Sequence, residues 1–273
     1  MSLEFAGIVS HAPGITGRMD QADPLLRSRF HDALNRMRET LEKIEPDAIV
    51  IVAAEHFANF FFDNMPAYCM GMAEHYEGPI EDPEWLAIPK VTIPGNPALS
   101  EKLIRSILHD IDLAYSQEWY FDHGIMVPLN FLTPRFDVPV IPVNINCQGP
   151  PLTPLHRAYE FGRSLRKACD NVDERIALIG TGGISHWPCT PDSGKINEQF
   201  DREFLGHLMN NRREQLLAYT DEATYREAGQ GGFEIRPLIT IAGATEPAGG
   251  EIWFYEPIPI YAVGCTVASM NVR

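Results

Sequence analysis

Histidines follow two of the apolar stretches in this chain, at the points where buried strands would end. His11 comes two residues after the stretch Leu3–Val9, and His56 comes two residues after the stretch Ala48–Ala54. In open α/β sheets, ligands bind in the crevice beyond the carboxyl ends of the strands. Neutral imidazole is the commonest nitrogen ligand of metal ions in proteins. The positions of these two histidines therefore indicate a metal site at the end of a sheet.

Two more histidines lie in turns next to predicted strands. His186 follows the stretch Arg175–Ile179 through the turn Gly-Thr-Gly-Gly-Ile-Ser, and His123 lies in Phe-Asp-His-Gly, ahead of the stretch Val138–Ile145. A single loop histidine is usually a polar surface residue, but several at successive strand ends are expected to converge. The remaining five are interpreted as surface or structural residues: His31, His75, His109, His156 and His207.

The four apolar stretches predict buried strands, and helical patterns lie between them. Apolar residues recur every three or four positions over 30–44, 99–108 and 155–169, which predicts amphipathic helices. This alternation predicts an α/β fold with a mostly parallel central sheet flanked by helices. If the strands before His11 and His56 are parallel neighbours, about 5 Å apart, the two imidazoles lie within reach of one ion.

The pattern changes after residue 184, where helices are predicted over 196–208 and 214–228. Late strands are predicted at Ile252–Phe254 and Ile258–Val263. Because the sequence contains no repeat and no linker, we expect one catalytic domain over residues 1–273. The segment Glu77–Pro97 carries five prolines among 21 residues and is predicted to be a loop that acts as a lid or an interface.

Composition excludes several classes of function. A net charge of −15 disfavours binding of nucleic acid or anionic membranes, since such partners attract basic surfaces. The apolar runs are far shorter than the ~20 residues that span a bilayer, and the N-terminus has the pattern of a strand and not of a secretory signal. Five cysteines without Cys-x-x-Cys spacing are typical of a reducing compartment. We therefore expect a cytoplasmic protein.

Two other functions of the turn Gly180–Ser185 are disfavoured by its neighbours. A dinucleotide-binding turn would open a helix, but Trp187 and two prolines follow closely. A hydrolase nucleophile elbow centred on Ser185 would need glycine where Trp187 stands. The glycines, Gly183 among them, permit close approach of the backbone to a ligand.

The motifs together resemble those of the type III extradiol ring-cleavage dioxygenases, the superfamily of the protocatechuate 4,5-dioxygenase β subunit. Four motifs carry the resemblance, in this order along the chain: Ser10-His11-Ala-Pro, Glu55-His56-Phe, Asp122-His123-Gly and Gly180-Thr-Gly-Gly-Ile-Ser-His186. The resemblance runs from residue 3 to about residue 268. It implies cleavage of a catecholic ring by O2 to a ring-opened semialdehyde, with both oxygen atoms entering the product.

The resemblance also implies a set of site residues. His11, His56 and a late glutamate would hold Fe(II), and Glu234 in Gly-Gly-Phe-Glu-Ile-Arg matches the carboxylate segment best. Glu246 is its first rival, followed by Glu251 and Glu256. His186 would act as general base and then acid toward the substrate. His123 would donate a hydrogen bond to substrate or oxygen.

Further expectations concern the substrate and the partners. Arg18 and Asn59 could contact a ring carboxylate, and Gly183 could approach the substrate. Phe57 and the phenylalanines after it could line an aromatic pocket, or they could be core. A homodimer is expected by analogy with the family. The alternatives are a 2-aminophenol-cleaving relative, a zinc hydrolase using the same residues, and a metal-binding interaction protein.

Overall fold

The computed structural model describes residues 2–272 and contains a central sheet of eight strands. The sheet order is β6-β3-β7-β2-β8-β1-β10-β9, and β4 and β5 form a separate two-stranded sheet. In chain order the strands are β1 (Leu3–Val9), β2 (Ala48–Ala54), β3 (Tyr68–Gly71), β4 (His75–Gly78), β5 (Val91–Pro94), β6 (Ala114–Ser116), β7 (Val140–Ile145), β8 (Ile176–Thr181), β9 (Gly250–Ile258) and β10 (Val263–Met270).

Helices cover both faces of the sheet. They are α1 (Gly14–Gly17), α2 (Pro24–Ile44), α3 (Pro83–Leu86), α4 (Pro97–Ile107), α5 (His123–Leu132), α6 (Leu155–Asp170), α7 (Glu198–Met209), α8 (Arg213–Ala218), α9 (Asp221–Ala228) and α10 (Ile235–Thr245), with 3-10 turns at Met19–Gln21, Gly231–Glu234 and Pro259–Tyr261. None of the helices between residues 2 and 272 is both long enough and apolar enough to cross a bilayer.

The four central strands β7, β2, β8 and β1 are all parallel. Strands β3, β6 and β10 run against them, so the sheet is mixed but mostly parallel. Strand β2 shows why its stretch is uniformly apolar. Its alternate residues pack into two separate cores, Val50 and Val52 on one face and Ile49 and Ile51 on the other. The predicted α/β class with late C-terminal strands is confirmed.

The expectation that β1 and β2 are direct neighbours is wrong. Strand β8 lies between them and pairs in parallel with both. A later strand has entered the middle of the sheet, as crossover connections between parallel strands permit. The carboxyl end of β8 therefore separates His11 from His56, and its last residue, Thr181, becomes part of their surroundings.

Several predicted boundaries also change. The segment Glu77–Pro97 is not an unstructured loop, because it contains the end of β4, helix α3 and strand β5. The helical stretch 214–228 is two helices, α8 and α9. The second late strand runs over Val263–Met270 and not Ile258–Val263, because Pro259 opens a 3-10 turn. His123 is the first residue of α5.

Helix α10 is held against α6 by two glycines. A methyl group at Gly162 would lie 1.9 Å from the carbonyl oxygen of Thr240, and one at Gly243 would lie 2.1 Å from that of Tyr159. The two backbones therefore touch, and any larger side chain would separate the helices. This packing holds α10, the helix that Glu234 precedes, against α6.

Candidate metal centre

Four histidines and one carboxylate converge at the carboxyl end of the parallel strands. His11 and His56 come from the ends of β1 and β2, His186 follows β8, His123 begins α5 and Glu234 precedes α10. The ring centroids of His11 and His56 are 5.1 Å apart, and that of His123 is 4.2 Å from His56. The structure thus brings together the three predicted metal ligands, the predicted base His186 and the predicted hydrogen-bond donor His123.

The tautomer of His11 is fixed by β8. Thr181 Oγ1 donates its only proton to the carbonyl of Gly124 at 2.8 Å. It must therefore accept from Nδ1 of His11, which lies 2.9 Å away. A neutral His11 then carries its lone pair on Nε2, which lies 3.1 Å from Glu234 Oε2. Burial lowers the pKa of His11, which favours this neutral, metal-binding form although Glu234 opposes the shift.

His56 is oriented in the same way by a carboxylate. Its Nδ1 donates to Asp122 Oδ2 at 2.9 Å, and its Nε2 lies 3.1 Å from Glu234 Oε1. Burial works against charge on His56, but Asp122 and Glu234 outweigh it and raise its pKa well above the usual value. Burial likewise opposes ionisation of Asp122, yet His56 holds the pKa of that carboxyl at about 2. A carboxylate behind a histidine is typical of protein metal sites.

Glu234 is a buried carboxylate, 2% exposed, whose oxygens face imidazole nitrogens and N–H donors. Besides the two Nε2 atoms, its oxygens accept from the backbone N–H of Gly183 at 2.8 Å and from Gln148 Nε2 at 3.4 Å. Burial opposes its ionisation, but His11 and His186 keep its pKa well below the usual value. An ionised carboxylate at this depth needs a compensating positive charge.

The donor set fits a divalent cation. The Nε2 atoms of His11 and His56 each lie 3.1 Å from one oxygen of Glu234. Two ligand atoms about 2.1 Å from one ion lie ~3 Å apart when their bonds to it are at right angles, so these distances suit a shared ion. A second possible set is three imidazoles, since one ring nitrogen from each of His11, His56 and His123 falls within a 4.8 Å group. The first set brings the negative charge that a cation requires, so we favour it.

His186 lies beside this group and not within it. Its Nε2 is 3.6 Å from Glu234 Oε2, and its Nδ1 faces the carbonyl of Ile184 at 3.4 Å. Methyl groups at Gly183 or Gly231 would fall within 2.6 Å of the ring, so these two glycines make room for it. Burial would lower its pKa, but Glu234 overcomes that effect and raises it. His186 can therefore exchange a proton close to the carboxylate.

The rival carboxylates lie elsewhere. Glu246 follows the last residue of α10, about 18 Å from Glu234 along the helix at 1.5 Å per residue, and faces Arg163 at 3.6 Å. Glu251 and Glu256 pair with Arg36 and Arg29 on the surface. Of the four glutamates considered from sequence, the structure brings only Glu234 to the histidines.

The four residues predicted to contact substrate have different surroundings in the structure. Arg18 is exposed at the end of α1. Asn59 uses both ends of its amide on the backbone of Tyr120, at 2.8 and 3.0 Å. Phe57 is half-buried, with its ring centroid 5.3 Å from that of Phe62. Gly183 donates its N–H to Glu234, so in this structure it supports the carboxylate.

Sequence reasoning missed the residues that orient the histidines. Asp122 stood in a quoted motif without an assigned role, and the motif Asp-His-Gly was its only signal. Thr181 likewise lies in the glycine-rich motif before His186, but its contact with His11 depends on the strand order. Gln148 gave no signal, because its position depends on how a loop folds.

Metal affinity should fall as the pH is lowered, because of the contacts of His56. A metal must displace the proton of His56, whose pKa is raised, so affinity should fall about tenfold per pH unit below that pKa and level off above it. Asp122→Asn removes a charge that raises the pKa, and should move this fall to lower pH. Titration with Co(II) in competition with a chelator measures the effect. Affinity that does not change with pH across the neutral range would contradict it.

Comparison with known proteins places this chain in a family. The fold and site define an α/β protein with a histidine- and carboxylate-lined centre that could bind a metal ion. The sequence model of the catalytic LigB subunit of aromatic ring-opening dioxygenases matches residues 6–266. The chain therefore belongs to that family.

Curated relatives agree with this assignment, and a solved structure shares the fold. The chain is 28% identical to the 2,3-dihydroxyphenylpropionate/2,3-dihydroxicinnamic acid 1,2-dioxygenase of Paraburkholderia xenovorans, over 92% of each chain. It is 31% identical to the second such enzyme of Dechloromonas aromatica, over 85% of this chain and 72% of the relative. The crystal structure of an uncharacterised Escherichia coli K12 protein has the same fold, with a TM-score of 0.62, 20% identity and coverage of 98% and 99%.

Proposed function

We propose that this chain is a non-haem Fe(II)-dependent extradiol dioxygenase that opens the ring of a catecholic substrate with O2. One observation carries the proposal. Two imidazole Nε2 atoms and one buried carboxylate converge within 3.1 Å contacts, and a further imidazole, His186, lies beside the same carboxylate. Membership in the family of aromatic ring-opening dioxygenases supports it.

The ligand set indicates the metal. Two histidines and one carboxylate on one side of an ion are typical of non-haem Fe(II) oxygenases, because the opposite side stays open for substrate and O2. Bound Fe(II) would pass electron density from the catechol, which supplies the electrons, to O2, so the reaction would need no external reductant. Thr181 and Asp122 hold the rings of His11 and His56 with Nε2 toward that position.

His186 is assigned the proton transfers. A catechol must lose a proton to chelate the metal as a monoanion, and the ring that opens must later regain one. His186 has its Nδ1 toward a carbonyl, which can only accept, so the lone pair of the neutral ring is on Nε2, beside Glu234. A buried imidazole near the reacting hydroxyl suits both steps.

The substrate class follows from the family and its relatives. The curated relatives act on 2,3-dihydroxyphenylpropionate and 2,3-dihydroxycinnamic acid. These compounds join a catechol to a side chain, and we include them among the candidate substrates. The ring of Phe57, the residue after His56, lies 5.3 Å from that of Phe62, and we include this pair among the candidate contacts of a substituted ring.

An oxygen-uptake assay tests the proposal. Fe(II)-loaded protein is offered catechol, protocatechuate, gallate and 2,3-dihydroxyphenylpropionate, and at least one should consume O2 in a 1:1 ratio with formation of a coloured product. Hydroquinone is the matched control, since its hydroxyls cannot chelate one ion and it should give no uptake. Absence of uptake with every 1,2-diol would refute the activity.

The three-imidazole group favours a second candidate, a zinc hydrolase. Metal analysis after anaerobic purification separates the two. Stoichiometric iron supports the dioxygenase, and stoichiometric zinc together with ester or amide hydrolysis supports the hydrolase.

A further inference from the structure

A second carboxylate, Glu81, is hydrogen-bonded to His123 from outside the metal centre. One of its oxygens, Oε1, accepts both from His123 Nδ1 at 2.7 Å and from the backbone N–H of His123 at 2.9 Å. Both side chains are largely buried, each 16% exposed. Two donors from the same residue on one oxygen fix the position of the ring relative to the start of α5.

The position of Glu81 is set by backbone pairing. The carbonyl of Glu77 accepts from the N–H of Phe121 at 2.8 Å, and the N–H of Ile80 donates to the carbonyl of Phe121 at 2.9 Å. The proline-rich segment therefore runs alongside the residues that lead into His123. Glu81 is the point at which that segment reaches the site.

The second carboxylate oxygen of Glu81, Oε2, makes no hydrogen bond with the described residues that would explain the position of the side chain. Among residues 2–272, Oε2 is buried and has no hydrogen-bond partner. A buried oxygen without a partner costs free energy. Glu81 is therefore not placed here by a hydrogen bond that its Oε2 makes. Within the described part of the chain, the carboxylate of Glu81 is hydrogen-bonded to His123 alone.

The chemistry of this contact decides which nitrogen of His123 bears the proton. An ionised carboxylate only accepts, so the proton of a neutral His123 is on Nδ1 and the lone pair is on Nε2. The same logic governs His56 with Asp122. His123 lies 4.2 and 5.6 Å, between ring centroids, from His56 and His11, so its Nε2 is the nitrogen left to serve the pocket.

We propose that Glu81 is a positioning residue that locks His123 in the Nδ1–H tautomer, so that Nε2 accepts a hydrogen bond from a hydroxyl of the bound catechol. This rests on the proposed function for the identity of the ligand, whereas the tautomer itself does not. It differs from the expectation that His123 donates a hydrogen bond to substrate or oxygen.

The tautomer is tested without metal or turnover. Long-range 1H–15N spectra of metal-free protein labelled in histidine, at a pH where His123 is neutral, should show protonated Nδ1 in the wild type, with the signal assigned by its loss in His123→Asn. Glu81→Ala should shift His123 to the Nε2–H form, and Glu81→Gln should keep Nδ1–H because its amide oxygen still accepts. Glu84→Ala, an exposed neighbour in α3, should change nothing.

Two results overturn the proposal: an Nε2–H tautomer in the wild type, or an unchanged tautomer in Glu81→Ala. If Glu81→Ala does not fold, Glu81→Asp replaces it. That change keeps the charge but withdraws the carboxylate by one methylene, and should release the Nδ1–H tautomer.

Kinetics test the consequence for the reaction. Glu81→Ala in Fe(II)-loaded protein should lower kcat about 10–100-fold, the usual effect of removing an orienting partner, with KM and iron content little changed. Glu81→Gln should recover most of the rate, whereas a purely structural role would lower the melting temperature and iron content instead. If the wild type opens no catechol, the proposed function fails while the spectra still decide the role of Glu81.

Discussion

Glu234→Ala is expected to release the metal, with affinity falling more than about 100-fold, because a ligand should cost more than an orienting partner. The change removes the buried charge that faces both His11 and His56 at 3.1 Å and leaves two imidazoles for the ion. Bound metal per chain, measured after desalting under anaerobic conditions, reports the result. Far-ultraviolet circular dichroism should stay close to that of the wild type.

Glu246→Ala is the matched control for this experiment. It removes the same side chain from the opposite end of α10, where Glu246 faces Arg163. Its metal content should equal that of the wild type. If Glu234→Ala kept stoichiometric metal while His123→Ala lost it, the three-imidazole set would be correct and the carboxylate would not be a ligand.

His186→Phe is expected to keep the metal and lose turnover by about 10²–10⁴-fold, the usual contribution of a positioned acid or base. The phenyl ring is flat and can occupy the space between Gly183 and Gly231, so the packing should survive. Without Nε2 near Glu234, no side chain takes the proton of the catechol at that place. Single-turnover rates with anaerobically bound substrate measure the step directly.

His109→Phe controls for loss of a histidine as such, because His109 is exposed after α4. It should leave both metal and turnover unchanged. Loss of iron from His186→Phe would show that His186 is a ligand and that the assignments of base and ligand are exchanged.

Much of the fold could be predicted because its strands are buried on both faces. Uniform apolar stretches such as Ala48–Ala54 stand out from the amphipathic helices around them, and each strand end then marks a place for chemistry. His11, His56 and His186 were identified in that way. Glu234 needed the family resemblance, because one glutamate among several near the C-terminus has no local signal of its role.

The rest could not be predicted because it depends on long-range pairing. The residues of the stretch Arg175–Ile179 do not indicate that its strand lies between β1 and β2. The hydrogen bond between His11 and Thr181 could therefore not be predicted. Glu81 meets His123 across 42 residues of chain, in a segment that prolines suggested was a loop. Asp122 precedes His123 in sequence but orients His56 in space. Such contacts follow from topology and not from local composition.

An anaerobic crystal structure of Fe(II)-loaded protein with a bound catechol tests the central claim most directly. Anomalous density for iron should lie within bonding distance of His11 Nε2, His56 Nε2 and the Glu234 carboxylate, with the catechol beside His186 and His123. Iron held by His11, His56 and His123, with Glu234 outside bonding distance, would contradict the account.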